Sequence, residues 1–516
     1  MKGKKYINSL VALSLLFVFS LSLYASNNLL DLNGSSIASL RTFFRIPQIV
    51  YVQKHDNMAI ILKEPQKIYV IRYEHNLGGE KVMIGKGSKL IFQGGSLKNG
   101  VVVGNGASWN KDCLFQEITF CGSFKLDTIY TRNYRYSEDN NLFANLSVLG
   151  KSPNETNIYF EERDYYVSVT KHGQQVFDVP SHCNLYLSGR IMLKSNEFTT
   201  FNILGLNSVS NINIYGGEIF GDIESHIDRG GEWGHNIHLS GCKNIIIIGT
   251  KSCNAWGDGL GIDSSGDTRS ENIEVSGMTI KDCRRQGISI EGAKGVNVDK
   301  CIISGIGSIK HTSPSAAIDV EPWRTKEKKG KIIHEYAENI TIKNCVSYNN
   351  LVPWKVYGYY KNVKFINCKS NTAGNLSGES GSDVAFIDCE MPLFWNLKGS
   401  ARYKFKNCKL GILAIHDNIK QIRVEECDFE LDGLTDYVKN YFGGFIYLDI
   451  DSSDGCDYTI SRCYFNGETE SEYPVISKKG KYNTLRKTNS SFVLKENEFN
   501  AALIDESLFK VIRKNK

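Results

Sequence analysis

Short runs of alternating apolar and polar residues mark most of the chain. Lys67-Ile-Tyr-Val-Ile, Lys89-Leu-Ile-Phe, Asn99-Gly-Val-Val-Val and Asn157-Ile-Tyr-Phe open the series, with glycine, asparagine and aspartate between later runs. Alternation with a period of two predicts strands that have one apolar face, and the breakers predict turns between them. Further on, the runs become copies of one phrase: Asn339-Ile-Thr-Ile-Lys-Asn-Cys345, Asn362-Val-Lys-Phe-Ile-Asn-Cys368, Asp383-Val-Ala-Phe-Ile-Asp-Cys389, then Tyr403 to Cys408 and Ile422 to Cys427. Cys368, Cys389, Cys408 and Cys427 fall 19 to 21 residues apart. A unit of this size cannot bury its own apolar face and must stack on its neighbours. The fold expected is all-β: a right-handed single-stranded parallel β-helix (solenoid) with N- and C-terminal caps, equivalent positions lying strand over strand at ~4.8 Å.

Departures from the pattern set the boundaries. Met1 to Lys5 carry three lysines, a mostly apolar run spans Leu10 to Leu23, and small residues follow at Ala25 and Ser26. That order predicts an export signal peptide over 1–25. Residues 26–66 are expected to form an N-terminal segment and cap, and 67–470 the solenoid. Residues 471–516, where the period fades and the chain turns basic, are expected to cap the last coil's edge. Ser137 to Leu149 has helical apolar spacing and predicts a short helical insertion near 137–149. Beyond the signal no run approaches the ~20 apolar residues of a transmembrane span. The expectation is an exported protein, periplasmic, cell-surface or secreted.

Charge and cysteine content narrow the picture. With 61 basic and 56 acidic residues the net charge is +5, and the lysines and arginines are not clustered, so no nucleic-acid partner is expected. Fourteen cysteines in an exported chain would suggest disulfides. Here they end equivalent strands, which predicts an inward column of small apolar side chains. A metal site would want paired Cys-x-x-Cys spacing with histidine, and the sequence has none.

Unusual outward residues gather between Gly230 and Lys331. Aligning Asp258-Gly-Leu-Gly-Ile-Asp263, Gln286-Gly-Ile-Ser-Ile-Glu291 and Ala316-Ala-Ile-Asp-Val-Glu321 by their apolar positions points Leu260, Ile262, Ile288, Ile290, Ile318 and Val320 inward. Asp263, Glu291 and Glu321 then share one outward column, and Gly261, Ser289 and Asp319 its neighbour. The preceding coil sets His238 beside Gly261 and His235 near the level of Asp258. Carboxylates stacked this closely repel, which raises pKa values or recruits a cation. Trp233, Trp256 and Trp323 lie in or beside the same coils with Arg284, Arg285 and Arg324, and exposed aromatics beside polar groups suit a sugar ring. Solvent-facing charges and core tryptophans are the ordinary alternative for each residue alone; their concentration in a few coils favours a single site.

At these residues the chain resembles the pectate lyase-like β-helix superfamily of polysaccharide lyases, polygalacturonase-type glycoside hydrolases and tailspike depolymerases, over roughly Lys67 to Cys427. Tyr215-Gly-Gly-Glu-Ile-Phe-Gly221, His235 and Asn254-Ala-Trp-Gly-Asp258-Gly look like the order in polygalacturonase-type enzymes, which implies that Asp258 is a catalytic carboxylate. Arg284-Arg285-Gln286 stands where those enzymes carry Gly-Asp-Asp, and Ser315-Ala316-Ala317 where they carry Gly-His-Gly. Lyases of the superfamily commonly hold calcium on acidic residues and use an arginine or lysine base, which implies Asp263, Glu291 and Glu321 as metal ligands and Arg285 or Arg284 as the base. His235 or His238 would assist proton transfer. Trp256, Trp233, Trp323, Asp319 and Arg324 would contact the sugar. Because the hydrolase signature is missing where it is most specific, the reading sets β-elimination on a uronic acid polysaccharide ahead of hydrolysis by Asp258 with one of Asp263, Glu291, Asp319 or Glu321. Non-catalytic glycan binding comes third. Oligomeric state is not readable.

Overall fold

The computed structural model describes residues 47–512 except 323, 329–330, 378–381, 400, 417–418, 432–433, 450–456, 467–472, 479–490, 501 and 504–509. The expected signal peptide, most of the N-terminal segment and much of the expected C-terminal cap lie outside the described residues. Among the described residues no helix is long and apolar enough to cross a membrane.

Strand pairing is parallel along almost the whole chain, each strand bonding to its equivalents one coil before and one coil after. A parallel sheet built from consecutive coils winds into a β-helix, of the right-handed sense that connections between parallel strands take. Parallel pairing runs further than the repeat in the sequence. It starts where Gln48–Val52 lies against Lys67–Ile71, and it continues through Ser491–Lys495 to Lys510–Ile512. Strands outside 67–470 thus also pair in parallel, because strands that lack the sequence repeat still add to an open edge.

The turn chemistry explains why the repeated phrase ends in Asn-Cys or Asp-Cys. Asn344, Asn367, Asp388 and Asn407 all have φ between 51° and 55°. This left-handed conformation is costly for most L-residues and easiest for Asn and Asp. It turns the chain so that the next residue points inward. Cys345, Cys368, Cys389 and Cys408 are accordingly buried, and all are free thiols. Outside, the turn amides form a ladder: Asn367 donates to Asn344 at 2.8 Å, and Asn344 to Asp299 at 2.8 Å.

The expected helix forms over Asp139–Leu149 (α1), with Asp139 in its first turn, where a carboxylate favours the helix dipole. Leu142, Phe143, Leu146 and Leu149 are buried, and Phe143 packs against Phe160, Tyr165 and Phe177.

One sheet positions the chemistry. Its strands are β1 (Gln174–Asp178), β2 (Thr200–Asn207), β3 (Trp233–Ser240), β4 (Leu260–Asp263), β5 (Gln286–Ile290), β6 (Ala316–Val320) and β7 (Val352–Val356). Phe177, Leu204, Ile237, Leu260, Ile288, Ile318 and Trp354 form one continuous inward column, each fully buried. The outward residues are thereby locked in register.

Candidate functional site

The register matches the alignment read from the sequence: His238 faces Gly261, Gly261 faces Ser289, and Ser289 faces Asp319. The neighbouring column is held by Glu291 N–H to Ile262 and Glu321 N–H to Ile290, both at 2.9 Å. Thr200, Asn202, Trp233, His235, His238, Asp258, Asp263, Glu291 and Arg324 line a cleft of about 140 Å³.

Asp258 sits at its base on a turn that only glycine can precede. A Cβ at Gly257 would lie 2.7 Å from the Glu232 carbonyl and 2.9 Å from His235 Nδ1. The Asp258 N–H donates to His235 Nδ1 at 3.0 Å, so the neutral His235 ring carries its proton on Nε2. Arg285 donates to the Asp258 carboxylate at 3.1 Å. Burial pushes the Asp258 pKa up to about 6, with Arg285 opposing. Burial likewise holds His235 well below the usual histidine range and lowers His238, whose Nδ1 lies 3.4 Å from the Asn202 amide. Both imidazoles are neutral at neutral pH. Gly261 keeps the floor open: a Cβ there would approach His238 Cδ2 to 2.9 Å.

The acidic column is organised by a cation already in the chain. Arg324 reaches Asp263 at 2.6 Å, Glu291 at 2.6 Å and Glu335 at 4.0 Å. Carboxylate oxygens of these three residues lie within 4.8 Å of one another. One guanidinium cannot neutralise three carboxylates, so protonation is favoured; burial first, and then Asp263, raise Glu291 to about 8. Glu321 belongs elsewhere, which corrects the expected metal set: it binds Lys355 at 2.8 Å and lies 3.8 Å from Arg285. A calcium ion would compete with Arg324 for the same oxygens, so the residues present do not fit that ion with the guanidinium seated.

Three further assignments change. Trp256 is fully buried, stacked on His226 at 3.9 Å and lying beneath Arg284 at 3.7 Å, so it cannot offer a face to a sugar. Arg284 is a brace: it donates to the Trp256 carbonyl at 2.8 Å and to the Gly231 carbonyl. Asp319 is wholly buried, accepts from Gln286 at 2.7 Å and lies 3.5 Å from Lys355, so it supports the site from below. Trp233 is 49% exposed on the cleft rim, and Trp323 lies outside the described residues.

No protein-family model matches the chain. Two proteins of Bacillus subtilis (strain 168) are similar to parts of it. The uncharacterized protein YclG is 28% identical over 208 residues, 36% of this chain and 35% of that protein. The SPbeta prophage-derived uncharacterized protein YorA is 24% identical over 258 residues, 42% of this chain and 43% of that protein. The chain thus spans well under half the length of these curated relatives. Among solved structures, an endo-xylogalacturonan hydrolase from Aspergillus tubingensis aligns with a TM-score of 0.34 and 11% identity, over 73% of this chain and 90% of that one. The receptor-binding tailspike of bacteriophage Det7 aligns with 0.22 and 9%, over 91% and 78%. Likeness this slight carries no argument about the site, and the fold rests on the strand register.

Residues that the sequence reading missed differ in how they could have been found. Lys355 faces Asp319 in register, so extending the columns by one coil reaches it. Asn202 faces His235 one coil earlier in the same way. Glu335 has no such signal: it follows an antiparallel hairpin, Thr325–Lys328 against Lys331–His334, and is returned to the cleft by its N–H bond to Arg324 at 2.8 Å.

Proposed function

We propose that this cleft cleaves an acidic polysaccharide by general acid–base hydrolysis. The observation that carries the reading is that Asp258 and Glu291 line one small cleft beside an exposed tryptophan while their surroundings drive their pKa values apart, to about 6 and about 8. A carboxylate pair split in this way supplies a base and an acid at the same pH. In this reading Glu291 protonates the departing glycosidic oxygen, and Asp258 takes a proton from the water that attacks the anomeric carbon. Trp233 stacks on a sugar ring. Arg324, partly exposed, meets an anionic substituent, and Arg285, held protonated by the carboxylates around it, is the charge partner of Asp258.

β-Elimination is the second reading, favoured by the two neutral imidazoles in the cleft. His238 would then take the proton beside the uronate in place of an arginine, because His235 already carries a proton on Nε2 and its Nδ1 accepts the Asp258 N–H. One experiment separates the two. The protein is incubated with a panel of acidic polysaccharides while reducing ends and the ultraviolet absorbance of unsaturated uronates are followed. Reducing ends without absorbance are the expected result. Both signals together would establish elimination, and silence across the panel would sink both readings.

A further inference from the structure

The sheet that carries the cleft continues past it toward the N-terminal coils into a second, larger space. Between α1 and β1 lies a groove of about 930 Å³. It stands on the same outward face as the cleft: Gln175 faces Asn202 and Asn202 faces His235, while Asp178 faces Gly205 and Gly205 faces His238. Asp258 lies one coil beyond His235, so three coil steps, roughly 14 Å at ~4.8 Å each, separate Gln175 from Asp258.

The lining differs in kind from that of the cleft. The buried face of α1 leaves its polar face, including Asn140 and Ser147, to form one wall. Ser168, Gln174 and Gln175 add hydroxyl and amide groups, and Tyr166, 52% exposed, adds an aromatic ring. Asp139 is paired with Arg163 at 2.7 Å, which leaves Glu138 and Asp178 against Lys194, whereas in the cleft Arg285 and Arg324 pair with Asp258, Asp263 and Glu291, so the groove suits an anion less than the cleft does. The Gln175 Oε1 is buried with no hydrogen-bond partner, an unfavourable condition that a donor relieves. Gly205 makes room for this side chain, because a Cβ there would overlap the Gln175 amide.

We propose that this groove binds the uncharged, hydroxyl-rich part of the glycan whose bond is cut at the cleft, about three sugar units from the point of cleavage at one unit per coil step of ~4.8 Å. The Gln175 amide turns off Gly205 to accept from a sugar hydroxyl, Asp178 accepts from another, and Tyr166 supplies the stacking face. The substrate is accordingly a heteropolymer, acidic at the point of cleavage and neutral toward the N-terminal coils. This inference rests on the cleft being a polysaccharide-cleaving site.

The test uses the full chain with Asp258→Asn, so that turnover is slowed during the measurement, and titrates a panel of neutral hexasaccharides and hexagalacturonate by calorimetry. Gln175→Leu and Tyr166→Ala are added separately, with melting curves to confirm the fold. A neutral hexasaccharide should bind, and each groove variant should weaken it about tenfold while changing hexagalacturonate affinity less than about twofold. No binding of any neutral hexasaccharide, or affinities untouched by either variant, overturns the groove assignment. Neutral binding that depends on the groove, in a protein whose unsubstituted form cuts no acidic polymer, would uphold the groove as a binding site and remove the cleavage reading instead.

Discussion

Asp258 and Glu291 differ in what surrounds them rather than in what they are, and that difference makes testable statements. Cleavage requires Asp258 ionised and Glu291 protonated, so activity should rise through about pH 6 and fall through about pH 8, as read from a pH–rate profile. Asp258→Asn should lower the rate by about 10² to 10⁴, the usual contribution of a general acid or base, with melting not lowered. Stability should follow the same groups with a definite sign. Both folded pKa values lie above the ordinary 3.8 and 4.5, so the folded state holds protons that the unfolded chain releases. That contribution is complete below about pH 4 and is lost as pH rises through about 6 and about 8. Melting temperature measured across this window should fall, and Glu291→Gln should flatten its upper part. Arg324→Ala leaves Asp263, Glu291 and Glu335 without their cation. It should cost about 1–2 kcal/mol in denaturant titrations at pH 8, since Arg324 is partly exposed, and strengthen calcium binding as read by calorimetry.

Within a coil, the left-handed corner is the feature that decides whether strands stack. Asn367 holds φ at 51° and bonds to Asn344, so Asn367→Val should destabilise by about 1–2 kcal/mol. Lys300 occupies the equivalent corner before Cys301 at φ 54° without the side chain that suits it, and Lys300→Asn should stabilise by up to about 1 kcal/mol. Equilibrium unfolding of both variants checks the pair, since opposite signs at equivalent corners are hard to obtain from any cause but the backbone. This element was legible in the sequence because Asn-Cys and Asp-Cys recur at a fixed spacing. The helix at Asp139–Leu149 was legible too, but not its second use as a groove wall, because helical periodicity identifies a buried face and is silent about what the other face meets.

At the scale of the molecule the cleft is an effect of stacking. Asp258, Glu291 and Glu335 come from different coils, and the spacing of those coils is kept by the inward column. Ile288→Ala, in the middle of that column, should cost about 2–5 kcal/mol and lower activity as well, although its side chain is fully buried. Denaturation and kinetics on the same preparation test both halves. The sequence by itself determined the coil, the inward columns and the order of residues along each outward column, since all three follow from a period of two within strands and of one coil between them. It could not tell which outward residues stay open. Trp256 and Trp233 are the same residue type in adjacent coils, and only packing against His226 and Arg284 buries the first while the second remains at the rim. Nor could it pair charges across a loop: Arg324 and Glu335 meet the acidic column through a hairpin whose path has no period. Local pattern fixes what repeats, whereas burial and charge pairing depend on distances between segments far apart in the chain, and those exist only once the coils are stacked.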